Sequence, residues 1–375
     1  VGTLHNDLSF ITEGLSFDMS ISFNNNFGST KVYTDGIDTY YYEPNSGRYD
    51  QLGEDSPFRF KEDKKTNPMR RTNLQLKIGY ARRFGKHNIN SILVYNQQKT
   101  TSGNSIPSAL MGYAARVEYG FAEKYLGEVS LGYNGSENFA KGHRFGFFPS
   151  ASIGWRISEE PWVKKWTKGI LTNLKVRYSY GVVGNDKGAT RFNYIQKFEQ
   201  LSDNAQFGKY QTSNWGPLYK EGKLADPDAT WEESIKQNIG IEIGLWGKLN
   251  FTVDLFDEKR NNILMTRNTI PSWADSGIAF PQVNLGKTKN HGLELDVTWN
   301  DRIGKFNYYA KFNFATSENR VVFIDDPKNQ SEYLKKAGKS IGYVNKYLAT
   351  GNFQSLDDIY NSAQSTIAVS YTHLR

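Results

Sequence analysis

The residues of this sequence that could perform chemistry do not complete any enzyme motif. Gly338-Lys339-Ser340 matches the end of a phosphate-binding loop, but Tyr333 stands where that motif requires glycine. The five histidines are scattered and include no pair at the i, i+4 spacing of a zinc-binding helix. A Gly-x-Ser-x-Gly nucleophile elbow is also missing. We therefore predict no catalytic residues, no enzyme activity and no cofactor.

Paired carboxylates are the next candidates. Glu159-Glu160 and Glu232-Glu233 suggest glycosidase acids, but adjacent residues on a strand point to opposite faces, so neither pair could flank one bond. Asp325-Asp326 and the acidic stretch from Asp226 to Glu233 could bind calcium through oxygen ligands. Loop carboxylates are more often simply solvated. We therefore predict no metal site.

Aromatic side chains in long loops are better candidates for binding. The segment 186–229 is too long for a passive connection and contains many Phe, Tyr and Trp residues. Flat rings can pack against the apolar faces of sugars, and Tyr and Trp add a polar group. We predict substrate contacts from four ring residues in long loops: Trp215, Tyr219, Tyr210 and Trp273. The alternative is that such rings form the loops' own small core or contact a partner protein.

Composition limits the class of protein. The 375 residues include no Cys, which excludes thiolate zinc sites, iron–sulfur clusters and disulfides. A mean hydropathy of −0.63, with no apolar run near 18 residues, excludes a transmembrane helix. It does not exclude a transmembrane β-barrel, whose strands alternate apolar and polar residues. The net charge is +7, but the tightest basic cluster, residues 61–71, is interleaved with acidic residues, and we predict no nucleic-acid partner.

Period-2 alternation recurs along the chain and predicts half-buried strands. In one example, Leu174, Val176 and Tyr178 alternate along the chain with Lys175 and Arg177. The polar positions of such strands include six charges that we expect to face a wet interior: Lys175, Arg177, Glu242, Asp254, Glu294 and Asp296. The only helix expected is a turn near 164–171.

The connections between these strands alternate in length. Six short links separate five longer ones, of which the last is expected at 265–290, and this count predicts about twelve strands. An outer-membrane barrel has this arrangement, with short periplasmic turns and longer extracellular loops. Aromatics near strand ends would form girdles at the lipid interfaces: Phe84, Tyr95, Phe121, Tyr125, Trp155, Trp246, Trp299 and Phe306. The sequence thus predicts an all-β, antiparallel, up-and-down transmembrane β-barrel.

Several segments resemble one known family, the SusC/RagA-type TonB-dependent outer-membrane transporters. The matching segments follow the family's order and span nearly the whole chain, and six in sequence are specific although each alone is weak. They are Asn134–Phe139, Arg144–Ser150 with Gly154–Glu160, Leu174–Gly181 with Gly184-Asn185, Asn238–Leu245, Asn284–Gly286 with His291–Leu295, and Gly351–Ser355.

The resemblance implies a barrel of about 22 strands closed by a plug, of which residues 1–360 would hold the middle and later strands. The plug and the other N-terminal regions are expected to lie outside this chain, and residues 361–375 depart from the family pattern. It also implies import of oligosaccharides, glycopeptides or peptides across the outer membrane of a diderm bacterium. Its partners would be a SusD-like surface lipoprotein acting as a lid, outer-membrane lipid and the TonB–ExbB–ExbD complex. A soluble or surface-attached all-β carbohydrate-binding or adhesin protein is the alternative.

Overall fold

The fold is one large antiparallel sheet with three small hairpin sheets. The computed structural model describes residues 1–34, 39–52, 59–65, 68–207, 213–270, 279–346 and 355–361. In chain order the strands are β1 (Gly2–Asp7), β2 (Leu15–Asn26), β3 (Ser29–Thr34), β4 (Thr39–Glu43), β5 (Arg48–Leu52), β6 (Arg59–Lys65), β7 (Met69–Phe84), β8 (His87–Ser102), β9 (Ser108–Phe121), β10 (Tyr125–Ser136), β11 (Phe145–Arg156), β12 (Leu171–Asn185), β13 (Phe198–Phe207), β14 (Ser213–Glu221), β15 (Glu232–Leu245), β16 (Leu249–Thr266), β17 (Gln282–Ile303) and β18 (Phe306–Phe323).

The main sheet has twelve strands in the order β1-β2-β7-β8-β9-β10-β11-β12-β15-β16-β17-β18. Every strand therefore pairs with the next main-sheet strand along the chain, and β1 and β18 are the edges. This confirms the predicted twelve-strand, up-and-down antiparallel arrangement. The other strands form the pairs β3–β6, β4–β5 and β13–β14, which lie within segments predicted only as long connections.

The two ends of the sheet differ in their connections. One end, the turn end, carries the links 8–14, 85–86, 122–124, 157–170, 246–248 and 304–305. The opposite end, the loop end, carries 27–68, 103–107, 137–144, 186–231 and 267–281. The six-to-five alternation is confirmed, but the expected loop 265–290 is wrong at both limits because β16 continues to Thr266 and β17 begins at Gln282.

The strands give the main sheet two chemically different faces. The polar face carries Asn90, Glu118, Glu128 and Ser152, which occupy one cross-strand row of β8 to β11. The opposite, apolar face carries Val117 and Val129 among many exposed apolar side chains. Across β11, β12, β15 and β16 it continues as the row Ile153, Tyr178, Ile239 and Leu255, each with 37–66% of its surface exposed. Water would penalise such a face, whereas lipid would cover it.

Aromatic residues form two rows on the apolar face. Near the turn end, Phe84, His87, Phe121, Tyr125 and Trp155 are successive cross-strand partners from β7 to β11. The Phe121 and Tyr125 rings stack with their centroids 6.4 Å apart, and those of Tyr125 and Trp155 at 6.3 Å. Four of the predicted girdle residues therefore share one row.

The second aromatic row lies nearer the loop end and joins Tyr95, Tyr113, Tyr133 and Phe147. In β9, β10 and β11 it is eight residues from the first row. Eight residues at about 3.4 Å each span roughly 27 Å along the strand, or about 21 Å of height at a tilt of about 40°. This separation approaches the apolar band of about 25 Å that aromatic girdles flank in outer-membrane barrels.

The described helices are short. Helix α1 (Pro161–Thr167) lies in the link between β11 and β12, and α2 (Leu356–Tyr360) lies near the C-terminus. Pro161 at the first turn and Lys168 in the left-handed region define α1, three residues earlier than the helical turn predicted at 164–171. Neither helix has the length and apolarity needed to cross a bilayer.

Glu160, immediately before α1, joins three elements at the turn end. Its Oε1 accepts hydrogen bonds from the Tyr125 hydroxyl at 2.8 Å and from Trp155 Nε1 at 3.3 Å. Its Oε2 accepts one from Lys124 Nζ at 3.2 Å. The Tyr125 hydroxyl, with Lys124 and Trp155, outweighs desolvation and lowers the pKa of Glu160 below its ordinary value of 4.5.

This contact network predicts a pH-dependent contribution to stability. A carboxylate with a lowered pKa in the folded state stabilises the fold above its unfolded pKa, and the contribution is lost as pH falls through the folded pKa. Glu160→Gln should therefore lower the free energy of unfolding at pH 7, and the difference from wild type should shrink as the pH falls below 4.5. Urea titrations in lipid vesicles would measure it.

Glu159→Gln is the matched control, because among the described residues the Glu159 carboxylate pairs with Lys164 alone, and that pair is partly exposed. It should change stability little at any pH. If Glu160→Gln lowered the free energy of unfolding by the same amount at every pH, this result would contradict the role assigned to the Glu160 charge.

Candidate functional site: the polar face and the loop end

A network of ion pairs crosses the polar face. Arg177 on β12 places Nη2 2.6 Å from Asp254 Oδ1 and 2.8 Å from Oδ2 on β16, and Nε 3.3 Å from Glu242 on β15. Lys175 donates to the same Glu242 at 3.4 Å. Gly240 lies between Arg177 and Asp254, and a Cβ there would be 2.6 Å from Arg177 Nε. Because glycine has no side chain, the Arg177 side chain can extend across β15 to Asp254.

Further ion pairs continue along this face. Lys311 on β18 contacts Asp296 on β17 at 3.0 Å. Arg260 contacts Glu232 at 3.3 Å and Glu258 at 3.0 Å. The first network contains four of the six charges expected to face a wet interior, namely Lys175, Arg177, Glu242 and Asp254. Asp296 belongs to the second set. Glu294 lies opposite Asp254 in the strand register of β16 and β17. Half-buried, mutually paired charges are consistent with a water-accessible wall.

The loop end holds the buried core of the described chain. Phe139 is completely buried, and Phe148, Ala229 and Trp231 are nearly so. The Trp231 ring lies 5.4 Å from the Phe139 ring and 5.3 Å from the Phe148 ring, between centroids. Trp231 Nε1 donates to the Arg144 carbonyl at 3.1 Å. We call these four residues the Phe139 cluster, and it joins the loop 137–144 to the entry of β15.

Asp186, the first residue after β12, connects the same two loops by hydrogen bonds. Its Oδ2 accepts from the Ser136 hydroxyl at 2.6 Å and from Asn138 Nδ2 at 3.2 Å. Ser136 Oγ in turn accepts from the Asn138 backbone N–H at 3.2 Å. The segment 134–139, one of those that carried the family resemblance, is therefore the end of β10 and the start of the loop 137–144, held by specific contacts.

Arg191 links three loops. Its guanidinium donates to the carbonyls of Ile106 and Pro107 in the loop 103–107, and to Glu137 Oε2 at 3.1 Å. The guanidinium carbon also lies 4.6 Å from the Phe192 ring centroid. The Arg191 side chain of the loop 186–231 thus holds the neighbouring loops 103–107 and 137–144 in place.

Arg191→Ala should therefore loosen the loop end. Hydrogen bonds to charged groups contribute about 1.5–3 kcal/mol each, so local opening should become at least about tenfold more frequent. Proteinase K added to intact cells should cleave the loops faster by that factor. Arg320→Ala is the control, because its partner within the described ranges is Glu318, in an exposed pair. Equal cleavage rates for the wild-type protein and the Arg191 variant would show that this contact does not hold the loops.

The structure places the four predicted substrate-contacting rings only in part. Tyr219 lies on β14, is paired with Gln200 on β13 and is 61% exposed. Trp215 lies on the same strand. Tyr210 and Trp273 lie outside the described residues. These assignments stay predictions.

The acidic residues considered for calcium have other partners. Asp325 accepts hydrogen bonds from the backbone N–H groups of Asn268 at 2.8 Å and Thr269 at 3.0 Å. Asp326 accepts from the backbone of Lys336 and Ala337, both at 2.9 Å. In the part of the chain that the structure describes, no group of three or more His, Asp or Glu side chains could hold a metal ion.

Sequence reasoning missed several features of the loop end. Arg191 and Asp186 carried no motif, because their partners lie in loops distant along the chain. The exposed tyrosines of β4 and β5 could have been found from the sequence, because Tyr40-Tyr41-Tyr42 form a run of three aromatic residues. Tyr42 and Tyr49 face each other across that hairpin with ring centroids 4.9 Å apart.

The main sheet has one apolar face suited to lipid and one polar face suited to water. It also has two aromatic rows on the apolar face, and its long loops lie at one end. Together these features define the wall of a transmembrane β-barrel. Residues 2–372 match the family model described as TonB dependent receptor-like, beta-barrel. The chain therefore belongs to the TonB-dependent receptor β-barrel family, as its sequence predicted. Membership places it in the bacterial outer membrane as part of a multi-pass barrel of a receptor and transporter family.

Individual relatives agree with this assignment. The TonB-dependent receptor P39 of Formosa agariphila is 30% identical over 270 residues, covering 71% of this chain and 24% of the relative. The TonB-dependent receptor SusC of Bacteroides thetaiotaomicron is 26% identical over 242 residues, covering 64% and 23%. The RagAB peptide importer in its closed-closed state is similar in fold, with a TM-score of 0.66 and 17% identity over 87% of this chain and 37% of that chain. The chain thus spans about a quarter of the length of these two curated relatives.

Proposed function

We propose that this chain forms part of the barrel wall of an importer for oligosaccharides or other large nutrients. In this proposal a SusD-like lipoprotein covers the loop end, and the TonB–ExbB–ExbD complex supplies the energy. Two similar proteins bear names that support it, SusC and the RagAB peptide importer. The substrate binds between lid, loops and plug, and force through TonB displaces the plug. The reaction is transport, without catalysis by this chain.

The observation that carries the proposal is the segregation of features on the sheet. The polar face gives a water-accessible wall, and the loop end gives a structured surface with exposed rings. Tyr219 on the β13–β14 hairpin is the described example, and Trp215, Tyr210 and Trp273 belong to the same proposed contact set. Rings on loops above a polar wall suit the capture of sugars before their passage.

Uptake by a deletion strain complemented with the full-length protein tests the proposal. Growth on oligosaccharides should require the protein and TonB, and a surface lipoprotein should co-purify with it from outer membranes. Tyr219→Ala should reduce uptake, whereas Trp166→Ala, which removes an 84% exposed ring from α1 at the turn end, should not. Unimpaired growth of the deletion strain on every oligosaccharide and peptide tested would contradict an importer of such nutrients.

A further inference from the structure

A row of uncharged amides crosses the polar face near the loop end. Gln75 on β7, Asn96 on β8, Gly112 on β9 and Asn134 on β10 are successive cross-strand partners. We call these four residues the amide ladder. Neighbouring strands lie about 4.8 Å apart, so the ladder is roughly 14 Å long. The row continues with two further small, uncharged residues, Ser20 on β2 and Gly146 on β11.

The ladder has hydrogen-bonding capacity to offer to a ligand. Within the described ranges, the side chains of Gln75, Asn96 and Asn134 make no hydrogen bond, and none of the three is buried. Charges nearby are already engaged: Lys77, one row below the ladder, is 3.2 Å from Asp18. Asp186 is likewise occupied, by Ser136 and Asn138. Uncharged donors and acceptors are therefore the free groups on this part of the wall.

A pocket of about 310 Å³ opens over the ladder. Its lining includes Asn96, Gly112 and Asn134, together with Asp186 and Trp231 at the loop end. A Cβ at position 112 would be 2.1 Å from Asn134 Oδ1. Glycine at 112 therefore lets the Asn134 amide lie across β9, the strand that separates Asn134 from Asn96.

We propose that the amide ladder is a binding subsite for the hydroxyl groups of a neutral oligosaccharide on the channel wall. This inference rests on the proposed importer function and specifies its substrate class. A side-chain amide offers both donors and an acceptor, which matches a sugar hydroxyl that also donates and accepts. A charged ligand would meet no free opposite charge in the row. Neutral hydrogen bonds are individually weak, which suits a wall that must also release its ligand.

The test uses the full-length protein in detergent, incubated separately with partial hydrolysates of neutral polysaccharides, sulfated polysaccharides and a protein digest. Mass spectrometry then identifies what the protein retains. The double variant Asn96→Ala/Asn134→Ala should weaken retention of neutral oligosaccharides about thirtyfold, because it removes two hydrogen-bonding groups of about 1 kcal/mol each. Gln97→Ala is the matched control, since it removes an amide from the same strand on the opposite face.

The outcomes separate the ladder from the general function. Neutral glycans retained by the wild-type protein and by Gln97→Ala, but lost by the double variant, would support the proposal, provided heat-modifiable gel mobility shows both variants folded. Neutral glycans retained equally by the double variant, or sulfated glycans retained instead, would overturn the ladder's role and leave the importer standing. Retention of peptides alone, or of nothing, would overturn the oligosaccharide function and with it the ladder.

Discussion

Replacing Trp231 with alanine is expected to lower the free energy of unfolding by about 3–5 kcal/mol, as removal of a buried aromatic ring does in other cores. The ring packs between Phe139 and Phe148, and no other part of the described chain has so closed a core. The change also removes one of the two hydrogen bonds that the Arg144 carbonyl accepts, and leaves the one from the Ser136 backbone N–H at 3.0 Å. Urea unfolding in lipid vesicles, followed by heat-modifiable gel mobility, would measure the loss.

Trp166→Ala is the control for this variant. Trp166 lies on α1 and is 84% exposed, so the substitution removes the same atoms without opening a cavity. It should change stability by about 0.5 kcal/mol or less. Equal stability losses for the two variants would show that the Phe139 cluster is not the core of the loop end.

A second large effect is expected at the centre of the apolar face. Val129 lies midway between the aromatic rows, four residues from both Tyr125 and Tyr133, and is 51% exposed. Val129→Arg should destabilise the inserted barrel by about 2–4 kcal/mol, the cost of arginine at the midplane of a lipid-facing strand. Folding titrations into vesicles, with the inserted fraction measured at equilibrium, would determine it.

The adjacent residue supplies the control. Ser130 is on the polar face of the same strand and donates to Glu128 at 3.2 Å. Ser130→Arg should be tolerated, because a wet wall can hydrate the cation and Glu128 can pair with it. A larger loss of stability for Ser130→Arg than for Val129→Arg would show that the two faces are assigned the wrong way round.

The sequence predicted the main sheet well because one simple physical rule governs it. A strand between lipid and water must alternate apolar and polar residues, as β15 does from Ile235 to Leu245. The same rule placed Arg177 and Asp254 on the polar face. It could not predict their 2.6 Å contact, which depends on strand register and on the absence of a side chain at Gly240.

The loop end was predicted less well, for a different reason. Its contacts join residues far apart in sequence, such as Arg191 with Ile106 and Trp231 with Arg144. No periodicity encodes such pairs. The start of β17 was missed because Lys287, Lys289 and Asn290 lack the apolar alternation, although the backbone there pairs with β16 and β18. The amide ladder was missed because single Asn and Gln residues become a row only once the strands are in register.

Spin-label accessibility tests the central claim most directly, namely that this sheet spans the membrane with its polar face toward the lumen. The chain contains no Cys, so each substituted cysteine is a unique labelling site within it. Two neighbouring pairs, Val129→Cys with Ser130→Cys and Ile239→Cys with Asn238→Cys, sample both faces in the full-length protein in lipid. The labels at 129 and 239 should favour oxygen, which concentrates in lipid, and those at 130 and 238 should favour water-soluble nickel chelate. Equal access of nickel chelate to all four labels, or the reverse preference, would contradict the barrel-wall account.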